Sequence, residues 1–392
     1  MPHSASTHRR HDLDWLRAIA FGLLILYHIG MFYVTWGWHV KSTHMSPAIE
    51  PLMALLNPWR LPLLFIISGI ALHFAMDRAP LGEFLKSRTA RLALPVLFGM
   101  VVTVAPQAYF ELRTKGEIGP DFWAFYADYL DFGMEFSILT PTYNHLWYLV
   151  YILIYTLLVA LLIPVLARLA THVDRAAQWL GDGAYGWRLM LVPVLPFLAI
   201  AAFLAPHFPV TMAVIDDWAN HANLLSMLLI GWLIAKSDMF WRQLDRHLRP
   251  ILITVATLAA ILFVARLNWP AVRAVEPAFV AIMGVRTLYM WLAVLAMLGM
   301  AQRYLTRRTA LLDFLNQRVF AYYVLHQTII VSLGFWLAPR ELPVWLEASL
   351  LIAATLVLCI VLTEAIRPIP GVRVLFGLRG KRDRPTPVRQ PA

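Results

Sequence analysis

HLWYLVYILIYTLLVALLIPVLA, residues 145–167, contains no Asp, Glu, Lys or Arg. A helix needs about 20 mostly apolar residues to cross roughly 30 Å of hydrocarbon, so this stretch alone is long enough to span a bilayer. Nine more apolar stretches lie at 13–35, 59–76, 92–110, 188–205, 222–236, 248–266, 277–301, 318–337 and 344–364. Several contain proline (Pro62, Pro95, Pro164, Pro193), which membrane helices tolerate where neighbours satisfy the freed backbone groups. Composition agrees: 60% of the 392 residues are hydrophobic and 14% charged, against about a quarter charged in soluble domains. The expected fold is an all-α, polytopic integral membrane protein of about ten transmembrane helices.

The formal charge is +10, yet the basic residues sit in short segments between apolar stretches and form no continuous patch. That argues against nucleic acid as a partner and for the lipid bilayer. With the N-terminus inside, 25 of the 33 Lys and Arg fall on the inner side, so both termini are expected in the cytoplasm of an inner-membrane protein. The intervening segment 111–144 leans acidic, with Glu111, Glu117, Asp121, Asp128, Asp131 and Glu135 against Arg113 and Lys115. It also holds Phe122, Trp123, Phe125, Tyr126, Tyr129 and Phe132, which suit a helix at the outer interface, with stacking on sugar faces as a second use. The organisation read from this is a basic tail at 1–11, one membrane domain at 12–377, and a basic tail at 378–392 containing Pro385, Pro387 and Pro391. The first apolar stretch reads as a retained helix, since no small-residue cleavage pattern follows it.

Charges within hydrocarbon cost about 2.5–3.5 kcal/mol on insertion scales, so each is a functional candidate. Arg17 and His28 are eleven residues apart, nearly three helical turns, and project from one face about 16 Å apart along the axis. They could guide an anion toward a base; equally, Arg17 could reach lipid phosphate while His28 bonds a neighbouring helix. Arg88 and Arg91 in RTARLALP are i and i+3. Two guanidinium forks on one face suit a pyrophosphate or carboxylate, or ordinary inner-side anchoring. Ser68 and Gly69 in FIISG permit close helix approach. Asn144 and His145 stand at the outer end of their helix, either as anchors or in contact with substrate. His326 in YYVLHQ lies about 12 Å into its helix and either bonds across helices or takes part in chemistry. Arg286 lies deep in its stretch, and a buried Arg must find an anion, either a fixed carboxylate or one on a substrate. Glu364 with Arg367 at i+3 reads as a structural ion pair. No metal site is expected: His39 and His44 lack a third ligand, there is no H-E-x-x-H, and the single cysteine, Cys359, is set in the last apolar stretch. Phosphate-binding and dinucleotide glycine motifs are absent too.

LDWLR followed by His28, FIISG at 65–69, RTARLALP at 88–95, HLWYL at 145–149 and YYVLHQ at 322–327, taken in order, resemble the acyltransferase 3 family of membrane proteins. WHVKS at 38–42 and the ending EAIRPIPGVRVLFG at 364–377 look like that family's glucan-biosynthesis branch. The resemblance implies ten core helices, no bound cofactor, a cytoplasmic acyl-CoA as donor substrate and an envelope glycan as acceptor. In the glucan branch the acyl group is expected to be succinyl. The family's arginine–histidine motif falls on Arg17 and His28, and its paired arginines on Arg88 and Arg91. His28 is then expected as general base, Arg17 as the group that orients donor or stabilises charge, and Arg88 and Arg91 as ligands of donor phosphates. His145, Arg286 and His326 stay as possible substrate contacts. Two alternatives share these residues: an acetyltransferase of another envelope glycan or lipid, and a membrane carrier without covalent chemistry.

Overall fold

The computed structural model describes residues 10–133 and 136–378. Most of the two expected tails, and Glu135, lie outside the described residues. Among the described residues every regular element is helical. In chain order they are α1 (His11–Tyr33), α2 (Glu50–Met76), α3 (Leu81–Phe98), α4 (Ala105–Lys115), α5 (Phe122–Leu130), α6 (Trp147–Gly181), α7 (Trp187–Leu191), α8 (Leu195–Ala199), α9 (Trp218–Ile234), α10 (Asp238–Arg246), α11 (Leu248–Leu267), α12 (Trp269–Ala274), α13 (Glu276–Tyr304), α14 (Ala310–Leu337), α15 (Val344–Ile366) and α16 (Pro370–Leu375). Nine stretches of these are long and apolar enough to cross a membrane, and α9 with α10, bent by 106°, makes up to ten. This is a multi-pass membrane protein, and each expected stretch overlaps one of these spans.

The described residues fall into two compact units, the first from 10–23, 48–84 and 154–313, the second from 24–47, 85–153 and 314–378. In the first, α2 and α9 meet backbone to backbone. A Cβ on Gly69 would stand 1.9 Å from the Leu228 carbonyl oxygen, and one on Gly231 would stand 2.1 Å from that of Ile66. Glycine is needed at both positions because lipid supplies no hydrophobic drive between helices, so close packing must hold them. Ser237 breaks α9 from α10: its hydroxyl caps the Phe240 N–H at 3.1 Å and donates to Asp174 at 2.5 Å.

In the second unit, Ile25, Ile29 and Phe32 of α1 pack with Ile330 and Val331 of α14 and Leu351 of α15. The α-helical ladder between α3 and α4 is interrupted by a π turn at Gly99–Thr103 and by Pro106, which has no N–H to donate. Side chains meet the freed carbonyls: the Tyr129 hydroxyl bonds Met100 at 2.7 Å, Tyr126 bonds Val101 at 3.1 Å and Thr328 bonds Thr103 at 2.5 Å. The aromatic run of α5 thus serves the turn beneath it, although Trp123 remains 74% exposed. Burial pushes the Tyr129 phenol up to about 12. Outside the spans, two hydrogen bonds from Ser137 hold the exposed Glu117 carboxyl below its usual range. At the other end of the unit Glu364 pairs with Arg367 at 3.2 Å, as its spacing predicts, and also with Arg318.

Candidate active site

Helix α1 ends at Tyr33, leaving its last carbonyls without intrahelical partners. The Lys41 ammonium folds back over this end, donating to the Met31 carbonyl of α1 at 2.6 Å and, just beyond the helix, to those of Trp36 at 2.9 Å and Val34, a cation where the helix dipole favours one. The loop so pinned sets Trp38 and His39 over the end of α1, with the Trp38 ring 5.2 Å from His28 and 4.8 Å from His39. From α14, Tyr323, His326 and Gln327 fall at i, i+3 and i+4 and share one face.

The central contact joins two histidines. His28 Nδ1 lies 2.8 Å from His326 Nε2, with the rings 7° from parallel and their centroids 5.0 Å apart. That is an in-plane hydrogen bond, not face stacking. His326 is fully buried, and its Nδ1 is 2.7 Å from the Tyr323 carbonyl. A carbonyl only accepts, so Nδ1 carries the proton of His326 and Nε2 carries its lone pair. His28 must then donate from Nδ1, which puts the lone pair of His28 on Nε2. His145, 4% exposed, is used differently. Its Nε2–H donates to the Val324 carbonyl at 3.1 Å and its Nδ1 accepts from Gln107 at 3.3 Å, so both ring nitrogens serve structure.

Beside this pair lies a second constellation that the sequence did not single out. His39 donates from Nδ1 to the Glu111 carboxylate, whose other oxygen accepts from Lys115 at 2.7 Å. His39 Nε2 accepts from the carboxamides of Gln327 at 3.0 Å and Asn144 at 3.4 Å. Gln107, fully buried, accepts from both Gln327 and Asn144 at 3.1 Å and donates to Thr328 at 2.7 Å. WHVKS and YYVLHQ contain His39 and Gln327, but Glu111 reads in sequence as one acid in an acidic segment. Nothing in local spacing ties it to a histidine 72 residues away. Among the described residues no group of three or more His, Cys, Asp or Glu could hold a metal ion.

The other nominated residues are placed as follows. Arg88 and Arg91 are half-buried on α3 in the second unit, with the Arg91 guanidinium 5.9 Å from the Phe320 ring centre. Arg17 and Arg286 belong to the first unit. Arg17 pairs with Asp14 at 3.3 Å on its own helix. Arg286, whose place deep in an apolar stretch predicts burial, is instead exposed on α13. By helical spacing it shares a face with Tyr289, Met290 and Ala293, one turn before that face becomes packed.

A family model described as an acyltransferase domain matches residues 10–364. The chain is similar to a glucans biosynthesis protein C of Shigella dysenteriae serotype 1 (strain Sd197), at 29% identity over 146 residues. It is also similar to one of Escherichia coli (strain K12), at 27% over 142 residues. Each alignment covers 36% of this chain and 36% of the relative, so the chain spans about a third of the length of the curated relatives it matches. No solved structure matches it.

Proposed function

Because the chain belongs to the acyltransferase 3 family of integral membrane proteins, we propose that it transfers an acyl group, succinyl, from cytoplasmic acyl-CoA to hydroxyls of a periplasmic glucan. The enzyme is placed in the inner membrane with both termini in the cytoplasm, an arrangement that the bias of Lys and Arg toward one side supports. The glucan acceptor is supported by what the Shigella and Escherichia relatives are named for.

The observation that carries the mechanism is the His28–His326 hydrogen bond. It fixes the tautomer in which His28 Nε2 bears the lone pair, and imidazole ordinarily titrates near neutral pH, as a general base should. In the proposed reaction Nε2 takes the proton of an acceptor hydroxyl as its oxygen attacks the thioester carbonyl carbon. The tetrahedral intermediate then collapses with cleavage of the C–S bond, and His28 returns the proton to the departing CoA thiolate. The Nδ1–H bond to His326 is kept throughout, so the ring does not rotate away while it is charged. Arg88 and Arg91 are assigned the donor's phosphates, for which two guanidinium groups one helical turn apart are suited. Arg17 is assigned to orienting the donor. Arg286, exposed on α13, has no part in this scheme.

The test uses purified protein in lipid nanodiscs with labelled succinyl-CoA and a glucan acceptor. Replacing His28 with Gln is expected to lower transfer by about 10²–10⁴-fold at unchanged thermal stability. Transfer at the wild-type rate would remove His28 from the chemistry, and label accepted only from acetyl-CoA would replace succinyl as the acyl group.

A further inference from the structure

Helix α4 has two working faces. Gln107 and Glu111 face the histidine cluster, whereas Tyr109, Phe110 and Arg113, roughly 130° around the helix, line a separate cavity of about 430 Å³ completed by Phe122, Phe335 and Trp336. All of these residues belong to the second unit. The walls are aromatic: Tyr109 and Phe122 meet at 5.2 Å and 75°, and Phe110 and Phe335 meet at 4.8 Å and 38°. One guanidinium stands among them. Arg113 Nη1 reaches the Ile118 carbonyl at 3.3 Å, but its Nε is buried and has no hydrogen-bond acceptor in the protein.

That combination discriminates between occupants. A lipid tail would match the rings and leave the buried N–H without an acceptor, which proteins avoid. A pyranose ring matches both features: its axial C–H face packs on aromatic rings, whose faces are electron-rich, and its hydroxyl and ring oxygens accept from the guanidinium. The volume lies near the lower end of the range for small-ligand sites, about 300–1,000 Å³, and so holds a short piece of a chain, not a polymer. The thickness of α4, about 10 Å, separates the cavity from the cluster, more than one sugar ring covers. We propose that the cavity is an acceptor subsite that grips a glucose unit of the glucan at a distance from the hydroxyl being acylated, so that the enzyme prefers acceptors of several linked units. The proposal rests on the reading of the chain as a glucan acyltransferase.

The enzyme in nanodiscs is given succinyl-CoA and gluco-oligosaccharides from disaccharide upward, and binding of the same oligosaccharides without donor is followed by calorimetry. For the wild type, KM and Kd fall as the acceptor lengthens. For Arg113→Met, and independently for Phe122→Ala, both constants for the longer acceptors rise about tenfold, or about 1.4 kcal/mol, toward the disaccharide values, while kcat moves far less. The subsite is overturned if the variants keep the wild-type length dependence, or lose equally on every acceptor including the disaccharide. It is also overturned if tightly held lipid co-purifies with the wild type and is absent from both variants. Should the wild type transfer to no glucan, the functional reading fails, and calorimetry alone still decides whether Arg113 and Phe122 hold an oligosaccharide.

Discussion

A neutral imidazole has one N–H, and the nitrogen that carries it decides which nitrogen can take a proton. In this chain the decision falls to the Tyr323 carbonyl, acting through His326 on His28. In the proposed mechanism His326 is therefore a positioning residue. Replacing it with Phe removes the acceptor of the His28 Nδ1–H and is expected to lower kcat by about 10–100-fold with little change in KM for acyl-CoA. Replacing it with Gln, whose side-chain oxygen can accept the same bond, is expected to restore part of the rate. Equal rates in both variants, measured at matched stability, would reduce the pair to a packing contact. His28, His145 and His326 look alike in the sequence, each a histidine in or beside an apolar run. What separates them is the partner of each ring nitrogen, and every one of those partners but Tyr323 lies on a different segment of the chain.

Among the elements, α2 and α9 show how far local reading reaches. Small residues at Ser68 and Gly69 predict a close helix approach, and Gly69 makes it, but its counterpart Gly231 becomes visible only when α9 is laid against α2. Replacing Gly231 with Ala drives a methyl against a backbone carbonyl that has no side chain to yield, and is expected to cost about 1–3 kcal/mol or more. Gly22→Ala on α1, where a Cβ meets nothing within 4 Å, should be close to neutral. Thermal unfolding in detergent compares the two, and equal Tm values would show that α2 and α9 can separate without penalty. Segment 111–144 gives the opposite lesson. Its aromatic density predicts a helix at the interface; a helix, α5, does form, and its Tyr126 and Tyr129 are committed to carbonyls released by the π turn and Pro106. A π turn leaves no clear mark in composition, because it is set by how α3 and α4 must be joined.

For the whole molecule, the orientation proposed from charge can be checked with single thiols, because Cys359 is the only cysteine and is buried. In a Cys359→Ser background, Thr43→Cys is expected to react with an impermeant maleimide from the periplasmic side, and Gly371→Cys only after the membrane is opened. The reverse pattern would invert the topology and with it the assignment of donor and acceptor sides. The sequence by itself determined that the chain is helical, crosses a membrane and has about ten spans. Hydrocarbon offers no partner to a peptide group, so an apolar run of sufficient length has few alternatives to a helix, and that is a local property. Only the tertiary structure decided which nitrogen of His28 holds the lone pair, that His39 meets Glu111, and that α4 carries a polar cluster on one face and an aromatic cavity on another. Those choices depend on residues as far apart as His28 and His326, separated by 298 positions, and such partners are selected by packing, to which spacing along the chain gives no guide.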